Sequence, residues 1–148
     1  MVFEAYRVVK TKKGSHGMDG MDWKDIEMNL KSELYKLWNR LSSGSYYPKA
    51  VKQVEIPKRE GGIRKLGIPT ILDRIAQQVV KKQLEGKVGP MFHKSSFGYR
   101  PQRNCHDAVR QSNKNSFNHD CVIDLDIKGF FDNGRKAYIS FAAIKWLR

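Results

Sequence analysis

Cysteine is scarce in this chain: only Cys105 and Cys121 occur, with no CxxC and no companion His pair at metal-ligand spacing. That excludes a disulfide framework and gives no zinc-site signature, so both are read as reduced, cytosolic thiols. Long apolar runs are absent too, and Met1 to Arg7 do not build a basic, then apolar, then small-residue leader. Membrane insertion and secretion are therefore disfavoured, and a cytoplasmic location with no membrane partner is expected. Acidic residues are few as well, 15 against 28 Lys and Arg, for a net charge of +13. What is present suffices for a core: 148 residues, 40% of them hydrophobic, indicate one domain or a piece of a larger one.

The charge is concentrated. Met1 to Glu33 carry six basic and six acidic side chains, whereas Leu34 to His106 carry fifteen and four. Only Glu55, Glu60, Asp73 and Glu85 interrupt the basic middle segment. A solvated surface does not call for such a bias, and an electrostatic footprint for phosphates accounts for it better.

Phe3, Tyr6 and Val9 recur at helical spacing and are followed by a loop with Lys12, Lys13 and the three glycines Gly14, Gly17 and Gly20. The basic pair suits a phosphate contact and suits an ordinary turn equally. Asp22 is a candidate N-cap for one long amphipathic helix whose stripe is Trp23, Ile26, Leu30, Leu34, Leu37, Trp38 and Leu41, read as core. Val51 to Ile56 and Ile63 to Ile68 flank Gly61-Gly62, predicting an antiparallel hairpin with a strongly basic tip. Thr70 then caps a helix carrying Ile71, Ile75, Val79, Val80 and Leu84, which Gly86 is expected to end. Asn104 caps a short helix with Ala108 and Val109 inward, and Asn113 to Asp120 reads as polar loop. Cys121 to Ile127 reads as a buried strand, on which alternation puts Asp124 and Asp126 on one face. Two carboxylates in register at a strand end, followed by Lys128, Gly129, Phe130, Phe131 and Asp132, point towards a metal site.

Four stretches stand in order: Ile56-Pro57-Lys58-Arg59-Glu60-Gly61-Gly62-Ile63-Arg64-Lys65-Leu66-Gly67-Ile68-Pro69; Asp73-Arg74-Ile75-Ala76-Gln77; Ser96-Phe97-Gly98-Tyr99-Arg100-Pro101; and Asp124-Leu125-Asp126-Ile127-Lys128-Gly129-Phe130-Phe131-Asp132-Asn133. From about Ala5 to Asn133 the chain resembles the amino-terminal part of a bacterial group II intron-encoded reverse transcriptase and maturase. The resemblance implies an α+β fold: an amino-terminal helical extension (1–45), basic β-hairpin fingers with helices (46–120) and the first strand of a palm (121–133); beyond it, Tyr138, Phe141, Ile144 and Trp146 give an atypical tail (134–148) that reads as helical.

It also implies roles. Asp126 matches the first catalytic aspartate, and with the main-chain carbonyl of Ile127 it would hold magnesium; Asp124 matches a variable place. Phe131 matches the bulky gate against a ribose 2'-hydroxyl. An incoming deoxynucleoside triphosphate needs cations at a mobile hairpin, for which Lys58, Arg64 and Lys65 are placed, with Ile127 and Phe131 completing the nucleotide site. Lys12, Lys13, Arg59 and Arg100 are assigned to RNA. The implied partners are group II intron RNA, an RNA template with its DNA primer and deoxynucleoside triphosphates; apart from the resemblance, exposed apolar faces would allow self-association.

The departures bear on activity. The family's aromatic-Ala-Asp-Asp segment does not occur, and Gly134-Arg135-Lys136-Ala137 replaces the expected continuation after Asn133. One Asp cannot replace three, so the chain is expected to be inactive alone as an RNA-directed DNA polymerase. A non-catalytic RNA-binding module derived from such an enzyme is the alternative.

Overall fold

The computed structural model describes residues 1–59, 61–117, 119 and 121–125. Two compact units are present, Met1–Gln83 and the described part of Leu84–Ser140.

Among the described residues, the first unit is built on three helices and the greater part of a fourth. Helix α1 (Val2–Thr11) buries Ala5, Tyr6 and Val9. Its inward face follows the 3.6-residue period, and Phe3, at helical spacing from Tyr6 and Val9, is exposed and lies against the Tyr6 ring at 5.9 Å between centroids. Helix α2 (Trp23–Met28) starts at a reciprocal capping box. The Asp22 carboxylate accepts from the Trp23 amide at 2.7 Å, and the Asp22 amide donates to Asp25 Oδ2 at 2.8 Å. The single long helix expected here is broken at Asn29, whose φ of −121° and ψ of 28° lie outside the helical region, and α3 (Leu30–Ser43) begins anew. Asn favours such interruptions because its side chain competes with helical backbone bonding. After the break Leu34, Leu37 and Leu41 face inward, while Trp38 is 50% exposed and pairs at 5.8 Å with exposed Tyr35. The aromatic stripe is therefore only partly core.

Strands β1 (Lys52–Pro57) and β2 (Ile63–Ile68) form the expected antiparallel hairpin, with Lys52 opposite Ile68 and Pro57 opposite Ile63. Gly61 and Gly62, at φ 88° and 92°, turn the chain through the left-handed region that side chains disfavour. Helix α4 (Ile71–Val88) buries Ile71, Asp73, Ile75, Ala76 and Val79. It runs past Gly86, the expected terminus, because a helix tolerates an interior glycine; the chain departs at a 3₁₀ turn, Gly89–Met91, that contains Pro90.

One core unites these helices: Ala5, Tyr6 and Val9 of α1, Ile26 of α2, Leu34, Leu37 and Leu41 of α3, and Ile71, Ile75, Ala76 and Val79 of α4. Residues from both sides of position 45 thus share one apolar interior, whose burial contributes roughly 1.5–3 kcal/mol for each large aliphatic side chain.

In the second unit, Asn104 accepts from the Asp107 amide at 2.9 Å and caps α5 (Cys105–Ser116), which extends through the first half of the stretch expected to be loop, Asn113 to Ser116. Val109, expected inward, is exposed on it. Residues 121–125, the described part of the expected buried palm strand, carry no regular structure, and Val122, Ile123 and Leu125 are exposed. An extended segment becomes a strand by pairing its amides with a neighbour, and among the described residues no strand pairs with this one.

Candidate nucleic-acid interface

The hairpin presents its cations on two faces. Alternation along a pleated strand groups Lys52, Val54 and Ile56 with Arg64, Leu66 and Ile68, because register puts Ile56 opposite Arg64 and Val54 opposite Leu66. The other face groups Gln53, Glu55 and Pro57 with Ile63, Lys65 and Gly67, and sets Glu55 directly across from Lys65. Arg64 and Lys65 are therefore both exposed but point to opposite sides. Lys58 and Arg59 lie at the exposed tip, where the Lys58 amide donates to the Gly62 carbonyl at 3.0 Å. The structure brings Lys58 and Arg59 together at the turn and separates Arg64 from Lys65.

The base of the hairpin is held by two consecutive residues of α4. Asp73 is 4% exposed, and both of its carboxylate oxygens accept hydrogen bonds. Its Oδ2 accepts from Thr70 Oγ1 at 2.6 Å, Thr70 Oγ1 accepts from the Asp73 amide at 3.1 Å, and its Oδ1 accepts from the Tyr46 hydroxyl and from the Lys49 amide at 3.4 Å. Burial, and then the hydrogen bond to Asp73 and its charge, push the Tyr46 phenol well above its ordinary value of 10. Arg74 turns the other way. Its Nε and Nη2 donate to the Pro69 carbonyl at 3.2 and 3.0 Å, and Nη2 also donates to the Ser15 carbonyl.

The glycine loop fits this base by close approach. A Cβ on Gly17 would lie 2.6 Å from Thr70 Cα and 2.7 Å from the Thr70 nitrogen, and one on Gly14 would lie 2.1 Å from Arg74 Nη1. Trp23 Nε1 donates to the Gly14 carbonyl at 3.1 Å, and Lys49 Nζ pairs with Asp19 at 3.3 Å. Lys12 and Lys13 are exposed just after the end of α1, where a cation also complements the helix carbonyls.

In the second unit Arg100 and Arg103 organise the loop before α5. Arg100 donates to the carbonyls of Gly89 at 2.8 Å and of His93 and Ser96 at 3.3 Å, and its guanidinium lies 5.2 Å from the Phe92 ring centre. Arg103 donates to the carbonyls of Lys94 and, at 3.0 Å, Ser96, over the Phe97 ring at 5.0 Å. Immediately before Arg100, Tyr99 takes φ 55° with its ring fully exposed, and between the two arginines Gln102 takes φ 59°, a conformation that costs a residue with a side chain about 1–3 kcal/mol.

The model of the reverse transcriptase (RNA-dependent DNA polymerase) family matches residues 56–137, more than half of the chain. The chain belongs to the reverse transcriptase family. Among curated proteins it is 36% identical over 138 residues to Protein YkfC of Escherichia coli (strain K12), covering 87% of this chain and 36% of that protein. It is 34% identical over 133 residues to the group II intron-encoded protein LtrA of Lactococcus lactis subsp. cremoris, covering 88% of this chain and 22% of that protein. It is also 31% identical over 137 residues to an uncharacterized 91 kDa protein in the cob intron of Schizosaccharomyces pombe (strain 972 / ATCC 24843), covering 90% of this chain and 16% of that protein. The resemblance to group II intron-encoded reverse transcriptases is thus shown, and the chain spans at most 36% of the length of these relatives.

In this reverse transcriptase segment, Asp126, Ile127 and Phe131 lie outside the described residues. Asp124 is described and exposed. The family works with divalent metal, but among the described residues no group of three or more His, Cys, Asp or Glu side chains could hold an ion, so they do not by themselves make a magnesium site. Among the described residues no helix is long and apolar enough to cross a membrane. The sequence pointed to Thr70 as the cap of α4, which its bond from the Asp73 amide bears out, but not to its bond with the Asp73 carboxylate, nor to Tyr46 and Arg103 as organisers of the site. Thr70-Ile71-Leu72-Asp73 carried a readable signal, the spacing of a capping box with Asp in third place.

Proposed function

We propose that this chain is the fingers-bearing part of a group II intron-encoded RNA-directed DNA polymerase, and that it grips RNA through the hairpin tip and the loop after α1. The observation that carries this reading is the hairpin itself. Lys58, Arg59, Arg64 and Lys65 stand exposed on a two-stranded projection whose base is fixed to a helical core. Lys12, Lys13 and Arg59 take RNA phosphates. Lys58 and Arg64 take the triphosphate of a deoxynucleotide, while Lys65, on the opposite face, serves the template strand instead. Arg100 supports the interface by holding its loop. Asp126 and the Ile127 carbonyl remain the residues assigned to magnesium, and Phe131 to the sugar gate. The partners are intron RNA, primer-template and deoxynucleoside triphosphates, in the cytoplasm.

Anisotropy titration of a structured RNA over a salt series tests the reading. Affinity should fall by roughly 0.7 to 0.9 log units per log unit of salt for each phosphate neutralised. The Lys12→Ala/Lys13→Ala and Arg59→Ala variants should each flatten that slope. A salt-independent affinity would overturn the assignment.

A further inference from the structure

The two strands of the hairpin enter and leave at places held by adjacent residues of one helix. Asp73 receives the chain on its way into β1, from the Tyr46 hydroxyl and the Lys49 amide. Arg74 holds the chain as it leaves β2, with two of its nitrogens on the Pro69 carbonyl, and joins that point to Ser15 of the glycine loop. Above this base both strands are largely exposed, with nothing buried on either face. An isolated two-stranded ribbon has little stiffness of its own, so its direction is set where it is anchored.

We infer that Asp73 and Arg74 are positioning residues, a two-sided clamp that sets the angle of the basic hairpin and refers it to the loop of residues 14–20. The purpose of that angle, presenting the tip cations to nucleic acid, rests on the function proposed above; the clamp itself does not. Arg74 suits the task because a planar guanidinium offers several donors in fixed directions, enough to bridge two carbonyls at once. A lysine keeps the charge and loses the fork. Gly14 leaves the guanidinium its space, since a Cβ there would stand 2.1 Å from Nη1. The clamp can therefore be disturbed from either side, by Arg74→Lys on the helix or by Gly14→Ala on the loop.

Pulsed electron paramagnetic resonance reads the angle directly. Spin labels at Arg59→Cys on the tip and Ser32→Cys on the exposed side of α3, in the full chain with Cys105→Ser and Cys121→Ser, should give a narrow distance distribution. Arg74→Lys and Gly14→Ala should each broaden it at least twofold, with helix content by circular dichroism preserved, while Gln77→Ala at an exposed place on α4 should leave it narrow. Variants that melt earlier yet keep the narrow distribution would reduce Arg74 to a structural residue and overturn the clamp. The salt slope of RNA binding separates the two claims: a broadened distance with an unchanged slope would leave the clamp standing and remove the hairpin from the RNA contact.

Discussion

Gly17 lies so close to Thr70 that a Cβ on it would meet the Thr70 Cα at 2.6 Å and the Thr70 nitrogen at 2.7 Å. Both neighbours are backbone at the start of α4, and Thr70 is 0% exposed, so neither partner can give way without disturbing the capped helix. Gly17→Ala should accordingly destabilise the chain by about 1–3 kcal/mol, the usual cost of overpacking. Gly86, inside α4 with open space where its Cβ would stand, is the natural contrast: Gly86→Ala should stabilise by about 0.5–1 kcal/mol. Urea denaturation of the two variants side by side checks both signs.

A second consequence concerns acid. The Lys10 ammonium and then the Tyr6 hydroxyl, both hydrogen-bonded to Glu27, hold its carboxyl below the ordinary 4.5 and tie α1 to α2. Glu4 is lowered likewise, first by its hydrogen bond to Lys82 at 2.6 Å, then by the charges of Lys82 and the amino terminus. A carboxyl depressed on folding stabilises above its unfolded value, and that stability disappears as the pH falls through the lowered one. The urea midpoint should therefore hold from neutrality down to about pH 4.5 as far as these two groups decide it, and fall below that. Glu27→Gln should reduce the fall. Lys10 is the mirror case: its value is raised, first by Glu27 and then by Tyr6, so its contribution is present below 10.5 and lost as the pH climbs through the raised value.

How far the sequence speaks for itself depends on the reach of each signal. The hairpin was legible because Gly61-Gly62 and its flanking strands lie within seventeen residues of one another, from Lys52 to Ile68. The cap at Asp22 was legible for the same local reason. The interruption at Asn29 was not, since a leucine stripe continues across it and periodicity cannot report one non-helical residue. The Asp73-Arg74 pair was visible as part of a motif but its work was not, because Tyr46 and Ser15, its partners, are 27 and 59 residues away in sequence. Gly14 and Gly17 read as turn formers for the same reason, though packing against α4 is what requires them to be small. Arg100 looked like one more phosphate-seeking cation, and only the loop carbonyls around it reveal a different use.

That use of Arg100 is testable. A side chain that donates to three backbone carbonyls is a brace, and removing it leaves those carbonyls short of partners. Arg100→Ala should increase amide exchange across residues 89–103 and leave the salt slope of RNA binding unchanged, short of the roughly 0.7 to 0.9 that losing one phosphate contact would take from it. Arg103→Ala should behave the same way, for it braces the Lys94 and Ser96 carbonyls. A slope lowered by a full phosphate, with exchange unaltered, would return Arg100 to the RNA-contacting set.

The opposed directions of Arg64 and Lys65 lead to the last prediction. The two are neighbours of like charge, and any account by net charge alone makes their replacement equivalent. Register makes them different: Arg64 shares a face with Val54, Ile56 and Leu66, whereas Lys65 stands directly across from Glu55. Cross-strand partners of opposite sign attract by roughly 0.2–1 kcal/mol, so Glu55 draws Lys65 away from a phosphate and its removal frees it. Glu55→Gln should therefore tighten RNA binding and steepen its salt slope, and that gain should vanish when Lys65→Ala is added. Added to Arg64→Ala, Glu55→Gln should keep its full gain, because Arg64 lies on the other face. A double-mutant cycle by anisotropy at several salt concentrations measures both couplings. Equal coupling of Glu55 to Arg64 and to Lys65 would mean that the two cations act as one diffuse charge, and the two-faced reading of the hairpin would fall.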